Sequence, residues 1–65
     1  MSNSEMNQYL DMLSDELVEL YGISKSQSVE LVENSPMRKL LRKDSAYVTH
    51  VPISSWAEMI YESQS

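Results

Sequence analysis

The chain has 65 residues, enough for one small domain, and a domain of this size buries only about 60% of the surface that its unfolded chain exposes. It contains no cysteine, which excludes disulfides and thiolate metal ligands, and its 42% hydrophobic and 23% charged residues are typical of a folded chain, not a disordered one. No apolar run could span a membrane and no signal peptide is visible, so we expect a single domain over residues 1–65 in the cytoplasm.

Charge is distributed unevenly along the sequence. The net charge is −5, which opposes attraction to nucleic acid and to anionic membranes. Residues 1–24 contain five acids and no base, whereas four of the five bases lie within residues 38–43. The chain is therefore an acidic protein that carries one short basic block.

The first helix is predicted from about Ser4 to Tyr21. Apolar residues recur at spacings of four and three, which places them in one stripe of a helix. This stripe consists of Met6, Leu10, Leu13, Leu17 and Leu20. Gly22 is the only glycine, and it follows the stripe where a helix commonly ends in a left-handed residue.

Two further helices are predicted from their capping signals. Ser24 and Gln27 have the spacing of a capping box, which begins a second helix that ends at Asn34-Ser35. Ser35-Pro36 then begins a third helix, because proline at the first helical position loses no hydrogen bond. We expect this helix to stop near Lys43-Asp44.

The segment from Ala46 to Ile53 is predicted to be extended. It is rich in residues that favour extended backbone, and Pro52 disfavours a helix at the residue before it. A second capping box, Ser55 to Glu58, begins the last helix, in which Trp56 is predicted to be a buried anchor. The fold class is therefore all-α: a small bundle of about four short helices with an extended segment before the last helix.

Nothing in the sequence indicates catalysis. There is one histidine, His50, and one glycine, so neither a nucleophile–base pair nor a phosphate-binding loop is indicated. The carboxylates of Asp11, Asp15 and Glu19 have helical spacing, but a metal site would need further ligands from facing helices. We expect no enzyme activity, no catalytic residue, no metal and no cofactor.

An interaction surface is the leading functional hypothesis. A domain of this size has difficulty covering all of its methionine and aromatic side chains, and such residues are typical of adaptable interfaces. Acids on the first helix would steer a basic partner protein, and apolar residues of the last helix would anchor it. The candidate partner-binding residues are Met12, Asp15, Glu19, Met59 and Tyr61. The long apolar stripe also predicts a homodimer through the first helix.

The alternative hypothesis is a small DNA-associated transcriptional regulator. Residues 24–43 would form a helix-turn-helix-like element whose second helix carries a basic arc. That arc consists of Arg38, Lys39, Arg42 and Lys43. No amide side chain follows Pro36 in this helix to read an adenine edge, so we expect contact with DNA only as part of an assembly. We expect the four bases instead to balance the acids of the first helix.

Several short motifs resemble a group of small, helical, antitoxin-like bacterial proteins. The motifs are Tyr21-Gly22-Ile23-Ser24, Val29, Leu31-Val32, Asn34-Ser35, Leu40-Leu41 and Tyr47, followed by an aromatic-rich last helix. The resemblance covers roughly residues 15–62. It implies a non-catalytic protein that binds and masks a toxin-like partner encoded beside it, and it implies no catalytic residues.

Overall fold

The computed structural model describes residues 2–63, which form four α-helices and contain no strand. The prediction of an all-α bundle of four helices is confirmed. The helices are α1 (Asn3–Tyr21), α2 (Lys25–Asn34), α3 (Met37–His50) and α4 (Ile53–Ser63). α1 is the longest helix and packs against the other three.

Both ends of α1 are determined by local residues. The Ser2 hydroxyl accepts a hydrogen bond from the Glu5 backbone N–H, and the Glu5 side chain accepts one from the Ser2 N–H. At the other end Gly22 has a φ of 66°, and its N–H donates to the Val18 carbonyl. The prediction that α1 ends at Tyr21 with Gly22 in the left-handed region is confirmed.

α2 begins as predicted, and one side of it is buried. Ser24 and Gln27 form the capping box, with each side chain accepting from the other residue's backbone N–H. Ser28 and Val32 are buried, whereas Val29 is exposed. Burial of Ser28 is tolerated because its hydroxyl donates a 2.8 Å hydrogen bond to the Lys25 carbonyl.

α3 continues through the segment that was predicted to be extended. Asp44 breaks the helix, with φ −153° and ψ 74°, and its carboxylate accepts a 3.2 Å hydrogen bond from the Tyr47 N–H. Asp44 thus caps a second helical segment that runs to His50, and Val51 is extended. The prediction for residues 46–50 is wrong because this cap and the burial of Val48 outweigh the β propensity of the segment.

α4 begins at Ile53, two residues before the predicted N-cap Ser55. The Ser55 N–H donates a 3.0 Å hydrogen bond to the Pro52 carbonyl, so Ser55 lies in the first turn. Pro52 suits the position directly before α4, because proline has no backbone N–H that would lack a partner there. Trp56, Ala57 and Ile60 point into the core, so the prediction that Trp56 is buried is confirmed.

One core lies between α1 and the other helices. Its buried apolar residues are Met6, Leu10, Leu13, Leu17, Val32, Met37, Leu41, Val48, Trp56, Ala57 and Ile60. Four of the five stripe residues of α1 are therefore covered within one chain, and only Leu20 remains 50% exposed. The argument that the stripe needs a second copy to cover it is wrong.

Candidate protein-interaction surface

The exposed face of α1 carries three of the five candidate partner-binding residues. Met12, Asp15 and Glu19 follow one another at spacings of three and four, so they share this face. The Met12 side chain is exposed, as is the Glu19 side chain. The predicted grouping of these three residues on α1 agrees with the helix observed.

Asp15 is already paired within the chain. Lys25, at the start of α2, lies 2.6 Å from an Asp15 carboxylate oxygen and 2.9 Å from one of Asp11. Its hydrogen bonds to Asp15 and then Asp11 raise the Lys25 pKa. The expectation that the basic block of α3 balances these acids is therefore wrong, because the balancing cation comes from α2.

Three other acids of α1 and α4 form no ion pair in the part of the chain that the structure describes. Glu16, Glu19 and Glu58 make no ion pair with any residue between 2 and 63. Leu20 is exposed next to Glu19 on the last turn of α1. Uncompensated carboxylates and exposed apolar surface therefore occur together at this end of the molecule.

A pair of stacked tyrosines joins the end of α1 to α4. The rings of Tyr21 and Tyr61 are 3.8 Å apart between centroids and inclined by 3°. Partial burial raises the Tyr21 pKa, and the nearby carboxylates of Glu58 and Glu62 raise it further. Negative charge is thus concentrated around an aromatic stack.

The two candidates on α4 face different directions. Tyr61 lies against Tyr21, whereas Met59 is exposed beside a shallow hollow that includes Glu58 and Glu62. Side chains two positions apart in a helix point in directions about 200° apart. Met59 and Tyr61 therefore cannot contact one flat partner surface together. Met59 is 47% exposed, although it lies three residues after the buried Trp56 and one before the buried Ile60.

A cleft between α2 and α4 adjoins the tyrosine stack. Its volume is about 330 Å³. It is lined by Ile23, Gln27, Glu30, Leu31, Asn34 and Tyr61. Sequence reasoning assigned no role to this cleft, because residues of α2 and α4 are far apart along the chain.

The four residues of the basic block differ in their contacts. Arg38 donates to Glu33 at 3.0 Å and to the Asn7 side chain at 3.2 Å. Lys39, Arg42 and Lys43 are exposed and form no ion pair within residues 2–63. Arg38, Lys39 and Arg42 line an open hollow of about 460 Å³ beside the turn between α2 and α3.

The chain matches no family model, no curated protein and no solved structure. Between residues 2 and 63, none of the four helices combines the length and apolar character needed to cross a membrane. In the same range no three His, Asp or Glu side chains gather as potential metal ligands.

Proposed function

We propose that this chain is a non-catalytic, cytoplasmic protein-interaction module that binds a basic segment of a partner protein. The binding surface is formed by the end of α1 and by α4, and we call it the acidic tyrosine surface. It consists of Glu16, Glu19, Leu20, Tyr21, Glu58 and Tyr61. A toxin-like protein encoded nearby, as the antitoxin resemblance implies, is the partner we propose.

The distribution of ion pairs is the observation that carries this proposal. Asp11 and Asp15 share Lys25, whereas Glu16 and Glu19, on the same helix, have no cation beside them within residues 2–63. Uncompensated like charges repel one another, so a bound cation would be favoured at this surface. Leu20 and the tyrosine stack supply apolar and aromatic contact area beside the charges.

The test uses two double variants that change the net charge equally. Glu19→Gln/Glu58→Gln removes two charges from the acidic tyrosine surface, and Asp11→Asn/Glu33→Gln removes two charges from elsewhere. A partner that co-purifies from the native host is then purified, and its Kd is measured for each form. We expect about a tenfold weaker Kd for the first double variant and less than about twofold for the second. Equal Kd values for both variants would contradict the proposal.

Binding to nucleic acid through α3 is the second candidate function. It is favoured by Lys39, Arg42 and Lys43, which are exposed and make no ion pair within residues 2–63. Lys39 and Arg42 also line one hollow. Arg38 is less available because Glu33 and Asn7 hold its guanidinium. Phosphate contacts would make the affinity for duplex DNA fall steeply with salt, with a slope that decreases by about one unit for each cation removed. A titration with mixed-sequence duplex at low salt tests this candidate.

Homodimerisation through α1 is a separate proposal. Met12 and Leu20 are the exposed apolar side chains of α1 that a second copy could cover. Sedimentation equilibrium distinguishes the dimer from a 7.5 kDa monomer. A dimer that survives Leu20→Lys would place its interface on another surface.

A further inference from the structure

We propose that the cleft between α2 and α4 binds the side chain of an arginine supplied by the partner protein. This inference rests on the proposed function and adds the residue type that the surface selects. The cleft of about 330 Å³ is open to solvent on one side and adjoins the tyrosine stack, so a side chain projecting from a bound segment can enter it.

The apolar wall of the cleft fits the stem of a long side chain. Ile23 and Leu31 are half-buried, and they line the cleft on the side of α2. Arginine and lysine bury their methylene groups along such surfaces while their charged ends stay near polar groups. A short acidic or hydroxyl side chain would leave this wall in contact with water.

Tyr61 provides an aromatic ring for a planar cation. One face of its ring is covered by Tyr21, at a centroid distance of 3.8 Å, and Tyr61 also lines the cleft. A guanidinium group stacks on aromatic rings through both cation–π attraction and planar contact. The phenol of Tyr61 therefore favours arginine over lysine, whose ammonium group is compact and strongly hydrated.

Glu30 provides the charge that completes the site. Among residues 2–63 it is the only charged residue that lines the cleft, and it forms no ion pair with any of them. A carboxylate accepts two parallel hydrogen bonds from a guanidinium group, which fixes its orientation. Asn34 adds an amide on the same wall, while the Gln27 amide oxygen already accepts from the Ser24 N–H. The carboxylates of Glu58 and Glu62, which lie near Tyr21, increase the attraction for a cation.

The experiment uses N-acetyl-arginine amide as the probe and its citrulline counterpart as an uncharged analogue of the same shape. Each is titrated into the isotopically labelled chain, and chemical shifts are followed by NMR. We expect saturable shifts at Leu31, Asn34 and Tyr61 with arginine, and about three- to fivefold weaker binding with citrulline. Glu30→Gln should weaken arginine binding by a similar factor. Asp44→Asn, which removes an exposed carboxylate outside both the cleft and the acidic tyrosine surface, should leave it unchanged.

Equal binding of arginine and citrulline would overturn the inference, as would shifts confined to residues around Glu16 and Glu19. The two proposals fail separately. If Glu19→Gln/Glu58→Gln weakens partner binding but arginine does not shift the cleft residues, the partner surface stands and the arginine site is wrong. If arginine binds in the cleft but both double variants hold the partner equally well, the arginine site stands and the proposed partner surface is wrong.

Discussion

The indole N–H of Trp56 donates a 2.9 Å hydrogen bond to the main-chain carbonyl of Val48. Val48 lies in the last turn of α3, where carbonyl groups have no partner within the helix. The Tyr9 hydroxyl makes a longer contact of 3.5 Å with the same oxygen. One buried carbonyl thus connects α1, α3 and α4, and its neighbours are the place where the fold is most sensitive to substitution.

Trp56→Ala should leave the protein largely unfolded at 25 °C. Truncating a large buried aromatic side chain costs about 3–5 kcal/mol, which is comparable with the total stability of about 5 kcal/mol expected for a small domain. Trp56→Phe should cost less, about 1–2 kcal/mol beyond any repacking, because it removes mainly the donor to Val48. Thermal unfolding followed by circular dichroism measures both, and a normal melting transition for Trp56→Ala would show that the indole is peripheral.

Asp44→Ala should destabilise the protein by about 1 kcal/mol. The substitution removes the carboxylate that accepts from the Tyr47 N–H and caps the second segment of α3. Asp44→Asn is the matched control, because asparagine caps helices about as well as aspartate. Urea denaturation should place Asp44→Asn near the wild type and Asp44→Ala below it. If both variants lost the same stability, the charge of Asp44 and not its capping would be responsible.

Gly22→Ala should lower the free energy of unfolding by about 1 kcal/mol, because of backbone strain alone. Gly22 has a φ of +66°, a region that disfavours residues with a Cβ, yet no atom lies within 4 Å of the position that a Cβ would take. Gly22→Asn should cost less than Gly22→Ala, since asparagine adopts the left-handed region more readily. Equilibrium unfolding of both variants tests this order, and the reverse order would mean that crowding, not φ, limits the position.

Tyr21 should ionise above its ordinary pKa of 10.0 in the folded protein. In the unfolded chain the phenol releases its proton first as the pH rises, so between the two pKa values the unfolded state binds fewer protons. Stability that Tyr21 contributes below pH 10 should therefore decrease as the pH rises through and above that value. Glu58→Gln should bring the Tyr21 pKa closer to 10.0, because it removes one of the neighbouring negative charges. Absorbance titration of the phenolate measures the shift, and an unchanged Tyr21 pKa in this variant would place Glu58 too far away to act.

Residues close together in sequence determine the parts of the fold that could be predicted. The Ser24–Gln27 cap and the glycine at position 22 set the ends of α1 and α2 without help from distant residues. The segment after Asp44 was mispredicted because its β-branched and aromatic residues favour extended backbone locally. The Asp44 cap, the burial of Val48 and the hydrogen bond between Val48 and Trp56 together decide the conformation, and eight positions separate Val48 from Trp56.

The candidate site was predictable only in part for the same reason. Helical spacing correctly placed Met12 and Glu19 on one face of α1, but it also assigned Leu20 to the core. Spacing shows which residues share a face and does not show where the covering helices end. Charge counting likewise assigned the acids of α1 to the basic block, whereas Lys25 lies fourteen residues from Asp11 and reaches it through the turn at Gly22.

The break in α3 at Asp44 places two bases, Arg42 and Lys43, at the end of a helical segment. In an unbroken α3, Arg42 and Lys43 would lie near the middle of a helix, where peptide dipoles largely cancel. Because the helix is interrupted at Asp44, they occupy the last turn of its first segment and face the partial negative charge of that helix end. Each of these positive charges then stabilises the first helical segment by about 0.3–1 kcal/mol in the absence of any ligand. Positive charge on Arg42 and Lys43 therefore stabilises the helix whether or not these residues bind a phosphate backbone.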